Sequence, residues 1–320
     1  MTPVEQTETA ALLDPFFVER LARVTEDGDS AKSRQAFVAP ADDWTMPDGV
    51  RVTDTTTRGP NGEVPLRIYE PIERGTDVPG LVWMHGGGFV SGDLDWGEAH
   101  AVAAELVIRA GAVVVSVDYR LAVGGVYHPV PVNDVLAAWR WASEHLDLDR
   151  LFIGGASAGA NLAASASWRM LSEGCELPAG MILAYGLYHF PLPAADPSLS
   201  RALSQLPTWL RMGEGREVKN FTEYIGSVNG VPGDAAPGNY DLRGMPPALV
   251  DIDEFDDLRP SSELFALQLR DAGVPVRTHL SRGVVHGHLN WFPGATVAQV
   301  DESIDLFAQA LMKGIIDDEI

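Results

Sequence analysis

An α/β fold, built as an open and mostly parallel sheet with helices on both faces, is what this sequence predicts, and two observations carry the prediction. From about Val50 onward, short β-type apolar runs alternate with helical ones, the pattern of strands that each feed a covering helix. The string Gly155-Ala156-Ser157-Ala158-Gly159 sits between a strand-like run at 149–154 and a run of small residues at 160–166 that reads as the start of a tightly packed helix. It is therefore a sharp strand–turn–helix bend.

Taken in order, strands are expected at 52–57 and 64–69, which form an antiparallel start, then at 80–84, 112–117, 151–153, 180–184, 248–252 and 276–280, eight in all. Helices are expected at 97–110, 130–145, 158–172, 260–272 and 296–313, where apolar residues recur near the helical period. Two segments break the alternation. Residues 1–45 look helical and amphipathic around 13–24, and residues 188–244 are rich in Pro, Leu and aromatics. They divide the chain into an N-terminal segment (1–45), a first core part (46–187), an insertion (188–244) and a second core part (245–320).

A chain of 320 residues, 46% of them hydrophobic, can bury a large core, and no Ser/Gly or charged linker splits it. Acidic residues throughout Met1 to Arg23 argue against a secretory leader or a membrane span, so a soluble, cytoplasmic protein is expected. The single cysteine, Cys175, can make neither an internal disulfide nor a thiolate cluster, so redox chemistry is not expected. A net charge of −22 opposes nucleic acid and anionic membranes as partners. The charge suits neutral or cationic substrates, or serves only to keep the protein dissolved.

The chemistry is carried by two glycine-rich strings. Beside a serine on a strained elbow, His85-Gly86-Gly87-Gly88-Phe89 offers backbone N–H groups to the negative charge that attack by the serine creates. A serine hydroxyl also needs a general base and a group to orient that base. Candidate carboxylates are Asp251, Asp253, Glu254, Asp256 and Asp257, and candidate bases are His286 and His288. The chain order is Ser, Asp, His, as the nucleophile-elbow architecture requires. An ordinary histidine base would lose activity below about pH 6–7.

These residues resemble the α/β-hydrolase superfamily, and within it the hormone-sensitive-lipase-like carboxylesterases. The likeness runs from about Val50 to the C-terminus through His85-Gly86-Gly87-Gly88-Phe89, Asp118-Tyr119-Arg120-Leu121-Ala122, Gly155-Ala156-Ser157-Ala158-Gly159, Asp256-Asp257-Leu258-Arg259 and His286-Gly287. The resemblance implies the α/β-hydrolase fold, an eight-stranded mostly parallel sheet flanked by helices, with a helical cap made from the two anomalous segments. It makes Ser157 the nucleophile, His286 the base and acid, and Asp256 the orienter. The oxyanion donors it implies are N–H groups of Gly86, Gly87 or Gly88, and of Ala158. The sequence departs from the family pattern at Ala156, at Ala160, in the loop 123–127 and at His288, where an apolar residue is usual.

Other polar residues have plainer expected tasks. His85 should fix the glycine loop, Asp118 and Arg120 should form an ion pair or turn contact, and His128, His145 and His189 should pack or face solvent, with His189 placed to reach the pocket. A zinc pair from His286 and His288 lacks further ligands, and neither metal nor cofactor is expected. Phe89, Tyr188, Leu206 and Trp209, with Phe16, Phe17 and Leu210, are candidate walls of a hydrophobic substrate pocket. The expected activity is hydrolysis of small to medium carboxylic esters through an acyl-enzyme. An amidase, lactonase or formamidase on the same triad and a non-catalytic ligand binder are the alternatives, and assembly as a homodimer is left open.

Overall fold

The computed structural model describes residues 13–26, 31–38, 44–211, 215–226, 230–294 and 296–315. The remainder of the segments anticipated at 1–45 and 188–244, including the start of the stretch read as leaderless, lies outside the described residues. The helix anticipated at 13–24 is α1 (Pro15–Glu26), followed by α2 (Ala31–Val38).

The Thr- and Val-rich start folds as a hairpin of β1 (Val50–Gly59) and β2 (Gly62–Pro71), antiparallel from Val50 opposite Pro71 to Gly59 opposite Gly62. The core continues through β3 (Pro79–Met84), α3 (Gly97–Ala110), β4 (Val113–Val117), α4 (Val130–His145), β5 (Arg150–Ala156), α5 (Ala158–Ser172) and β6 (Met181–Ala184). After the insertion, which carries α6 (Pro197–Leu203) and α7 (Arg216–Ile225), come β7 (Ala248–Phe255), α8 (Arg259–Asp271), β8 (Val276–Val285) and α9 (Ala298–Lys313). One eight-stranded sheet results, in the order β1-β2-β4-β3-β5-β6-β7-β8. From β4 to β8 all neighbours are parallel, and β2 meets β4 antiparallel. This is the α/β-hydrolase fold.

Continuous apolar runs in β3 and β4 follow from burial on both faces. Val82, Met84, Val115 and Val117 face a core shared with α4, α5 and α8, while Leu81, Trp83 and Val114 face one shared with α3 and α9. Each such buried side chain contributes about 1.5–3 kcal/mol. Several strands run past their expected ends, because Gly154, Gly155 and Asp253 interrupt the apolar pattern while still pairing in the ladder, and β8 continues through a register shift, opposite Asp253 to Phe255, that takes in Gly283. Of the ion pair or turn contact expected at Asp118 and Arg120, the ion pair forms at Arg120, though not with Asp118. Arg120 instead binds the buried carboxylate of Asp134 on α4, through both its side chain and its N–H.

Helix α5 lies directly against β3, and a Cβ on Gly159 would stand 2.2 Å from the Met84 carbonyl oxygen. Only glycine fits. Gly159→Ala is expected to cost about 3 kcal/mol or more by overpacking, seen as a lowered thermal midpoint by circular dichroism.

The N-terminal helices are anchored by rings. Phe17, fully buried, meets Trp291 edge-on at 4.9 Å, and Phe37 meets both Trp291 at 6.0 Å and Trp209 of the insertion at 5.3 Å. Aromatic pairs in this geometry add about 0.5–1.5 kcal/mol each beyond their burial. No helix among the described residues is long and apolar enough to cross a membrane.

Candidate active site

Parallel strands collect their carboxyl ends on one edge of the sheet, which is where open α/β sheets bind ligands. There His85 directly follows β3, Ser157 follows β5, Asp256 follows β7 and His286 follows β8. Ser157 has φ +53° and ψ −116°, a strained conformation for a residue with a Cβ. Its N–H donates to the Ala184 carbonyl at 2.9 Å, which holds the turn.

Ser157 Oγ lies 3.0 Å from His286 Nε2, and His286 Nδ1 lies 2.7 Å from Asp256 Oδ2. Asp256, 1% exposed, also accepts the Leu258 N–H through Oδ1 at 2.9 Å. With Nδ1 donating to the carboxylate, Nε2 presents its lone pair to the serine hydroxyl. Burial by itself favours a neutral ring, but the adjacent Asp256, with Asp253 and Glu98 behind it, pushes the His286 pKa up to about 9.

The competing acids and base are all occupied. Asp253 pairs with His288, Asp251 binds His279 and Ser281, Glu254 accepts the Gly283 N–H, and Asp257 pairs with Arg211. Ligand atoms of Asp253, Asp256 and His286 lie within 4.8 Å of one another. Hydrogen bonds already engage these atoms: His286 Nδ1 faces Asp256, and both Asp253 oxygens serve the 286–288 turn. That donor set fits a proton relay better than a metal centre.

The glycine loop needs one correction. The Gly86 N–H donates to Glu98 Oε1 at 2.6 Å and so is already engaged. The N–H groups of Gly87, Gly88 and Ala158 meet no internal acceptor among the described residues. Gly87 and Gly88 border the cavity over Ser157, with φ +104° and +61°. His85 does hold the loop: Nδ1 donates to the Gly86 carbonyl at 2.7 Å and the ring stacks on Tyr119 at 4.4 Å. Burial lowers its pKa, which keeps the ring neutral.

Glu98 is the residue that sequence reasoning missed. It is 2% exposed in the first turn of α3, and Oε2 accepts from Tyr185 Oη at 2.8 Å and Asn290 Nδ2 at 2.9 Å. One carboxylate therefore ties the glycine loop to the strand end after β6 and to the turn after His286. The only sequence signal was an acid among small apolar residues at a helix start. Glu98→Ala leaves two buried donors, the Gly86 N–H and Tyr185 Oη, unpaired and strips one acceptor from Asn290, and is expected to lower kcat about 10²-fold with KM little changed. Steady-state kinetics check this; a change confined to KM would mean that the carboxylate contacts substrate directly.

The cavity above Ser157 has a volume of about 250 Å³ and is bordered by His286, Trp96, Val90 and, from α7, Arg216 and Asn220. None of Phe89, Tyr188, Leu206 and Trp209 borders it, against expectation. Phe89 stacks on Tyr224 at 4.0 Å and Tyr188 on Phe265 at 4.2 Å, while Leu206 and Trp209 pack into the cluster that holds Phe17 and Phe37. Phe16, Phe17 and Leu210 belong to that cluster too. His189 is buried and bonded to Ser261 and Gln268, His128 pairs with Asp234, and His145 stacks on Trp141. The atypical loop 123–127 reaches α7, where Tyr127 packs against Gly226. A hollow of about 420 Å³ near Trp139 and Leu151 contains none of the expected site residues.

Comparison with known proteins places relatives beside this geometry. The family model described as the alpha/beta hydrolase fold matches residues 81–290. The chain is similar to Esterase LipI of Mycobacterium tuberculosis, 33% identical over 267 residues, covering 78% of this chain and 79% of that protein. Carboxylesterase NlhH of the same organism is 32% identical over 304 residues, covering 88% of this chain and 87% of its own. Among solved structures, a bacterial heroin esterase shares 28% identity over 96% of this chain and 99% of its own, with a TM-score of 0.74. A thermostable esterase from Pseudomonas putida, 24% identical over 96% of this chain and 99% of its own, shares the fold with a TM-score of 0.80.

Proposed function

This chain belongs to the α/β-hydrolase superfamily, in its hormone-sensitive-lipase-like carboxylesterase branch, and from that premise we propose that it hydrolyses small carboxylic esters through an acyl-enzyme on Ser157. The observation that carries the reading is the unbroken chain of contacts from Ser157 Oγ through His286 to Asp256, beside unpaired N–H groups of Gly87, Gly88 and Ala158. Esterases among the relatives support the reaction class.

In the proposed path, Oγ attacks the ester carbonyl as His286 Nε2 takes its proton. The three N–H groups stabilise the oxyanion, and His286 returns the proton to the departing alkoxide. Water, deprotonated by the same nitrogen, then attacks the acyl-serine and releases the acid. Asp256 keeps the ring in the required tautomer and stabilises its charged form. Residues 1–45 and 188–244 are proposed to form the cap, supported by the ring cluster that joins them and by Arg216 and Asn220 beside the cavity. The small cavity, with Val90 and Trp96 as its main apolar walls, favours short acyl groups.

A panel of p-nitrophenyl esters of rising acyl length, set beside matched anilides, tests the proposal. Acetyl and butyryl esters should exceed lauroyl esters and all anilides in kcat/KM. Anilides cleaved as fast as esters would instead make the chain an amidase.

The raised pKa of His286 gives a pH prediction whose sign is fixed. The base must be neutral, and its protonated form persists up to about pH 9, so kcat/KM for a short ester should fall as pH drops through that value. A limb near the ordinary histidine value, as the sequence alone suggested, would show that Asp256 is not acting on the ring. The same shift bears on stability: a folded-state pKa above the unfolded one stabilises below the unfolded value, and that contribution is lost as pH rises through about 9.

A further inference from the structure

Beside Asp256 and His286 lies a second buried carboxylate–imidazole pair that the proposed reaction does not use. Strand alternation sends Asp251 and Asp253 of β7 to the same face, and both are fully buried. Asp253 Oδ1 accepts from His288 Nδ1 at 2.6 Å, and Oδ2 accepts the Gly287 N–H at 2.8 Å. The other His288 nitrogen lies 2.9 Å from Ser303 Oγ of α9 and 3.8 Å from Asp251 Oδ2, an oxygen with no hydrogen bond of its own. His288 is thus enclosed by two carboxylates, an environment that favours a proton on both of its nitrogens.

Gly287, at φ +84°, is the residue between the two histidines, so Asp253 grips the backbone next to His286. Tyr185 meets both imidazoles edge-on, at 5.3 Å and 5.5 Å. Neither Asp253 nor His288 borders the cavity.

We propose that Asp253 and His288 are a positioning pair for His286: the carboxylate clamps the 286–288 turn, and the His288 charge balances that of Asp253, leaving Asp256 as the main charge on the catalytic ring. The other ionisable groups facing the pair are Asp251 on β7, His279 on β8 (3.0 Å from Asp251), Asp256, Glu98 on α3 and Tyr185. Helix α9 presents the neutral Ser303. This inference rests on the reading of His286 as the base. Covalent labelling of Ser157 in the unaltered chain tests that reading separately, so the two can fail independently.

Two substitutions in the full-length protein should move the acid limb of kcat/KM in opposite directions. Asp253→Asn removes a negative charge near His286 and leaves one acceptor oxygen for the two donors of Gly287 and His288, so the limb should shift down by about one pH unit, with kcat reduced roughly tenfold and KM unchanged. His288→Asn keeps a donor toward Asp253 but cannot carry a positive charge, so the limb should shift up by a similar amount. A merely structural pair would lower activity or stability without opposite shifts. Folded variants whose limbs coincide with the parent's, or move together, overturn the proposal. Nitrogen NMR of the unaltered protein needs no variant: His288 should carry protons on both ring nitrogens at about pH 7, and a neutral single tautomer there also overturns it.

Discussion

Ser157→Ala is expected to lower kcat for a short p-nitrophenyl ester by about 10⁶-fold. The size of the effect follows from the triad acting as a unit. Without Oγ, His286 has no hydroxyl to deprotonate, and Asp256 orients a base with nothing to activate. Residual turnover of about 10³–10⁴ over water would come from the N–H donors and binding alone. KM and the thermal midpoint should change little, because the serine side chain has no other partner among the described residues and its backbone is held by the Ala184 carbonyl. Steady-state kinetics on the folded variant check this. Turnover within tenfold of the parent would remove Ser157 from the mechanism.

Asp256→Asn should lower kcat about 10⁴-fold. One side-chain oxygen is engaged by the Leu258 N–H and the other faces His286 Nδ1. An asparagine whose carbonyl keeps the Leu258 contact turns its NH₂ toward the ring. His286 then has to accept at Nδ1 and carry its proton on Nε2, where it cannot receive one from Ser157. The limb set near pH 9 by the Asp256 charge should also fall toward the ordinary histidine range. Since Asp253→Asn is expected to lower kcat only about tenfold, the two variants together identify which acid orients the base. Equal losses would contradict the assignment.

The order of strands and helices was legible because two-sided burial writes uninterrupted apolar runs, as at Leu81–Met84 and Ala112–Val115. Strand ends were less legible. Gly154 and Gly155 are required in β5 by backbone approach, yet the expected strand stopped at residue 153 and Gly155 read as part of the bend. Proximity along the chain misled in the glycine loop, where three adjacent N–H groups look equivalent until Glu98, from the helix that begins at Gly97, takes the first. Arg120 makes the structural ion pair expected of it, but its partner Asp134, one turn into α4 and fourteen residues away, could not be read from proximity. The pocket walls could not be read at all from the abundance of aromatics. Rings such as Phe89 and Tyr188 found other rings, and the cavity was left to glycines, polar groups, two residues of α7, and Val90 and Trp96 as its apolar walls.

The central claim is that ester hydrolysis passes through covalent chemistry at Ser157. Peptide mass mapping after treatment with a fluorophosphonate probe tests it most directly. The expected result is one adduct per chain, on the peptide containing Ser157, forming in parallel with the loss of esterase activity and absent from Ser157→Ala. Folded protein that hydrolyses esters while its Ser157 peptide stays unmodified, or that is inactivated by an adduct elsewhere, would contradict it.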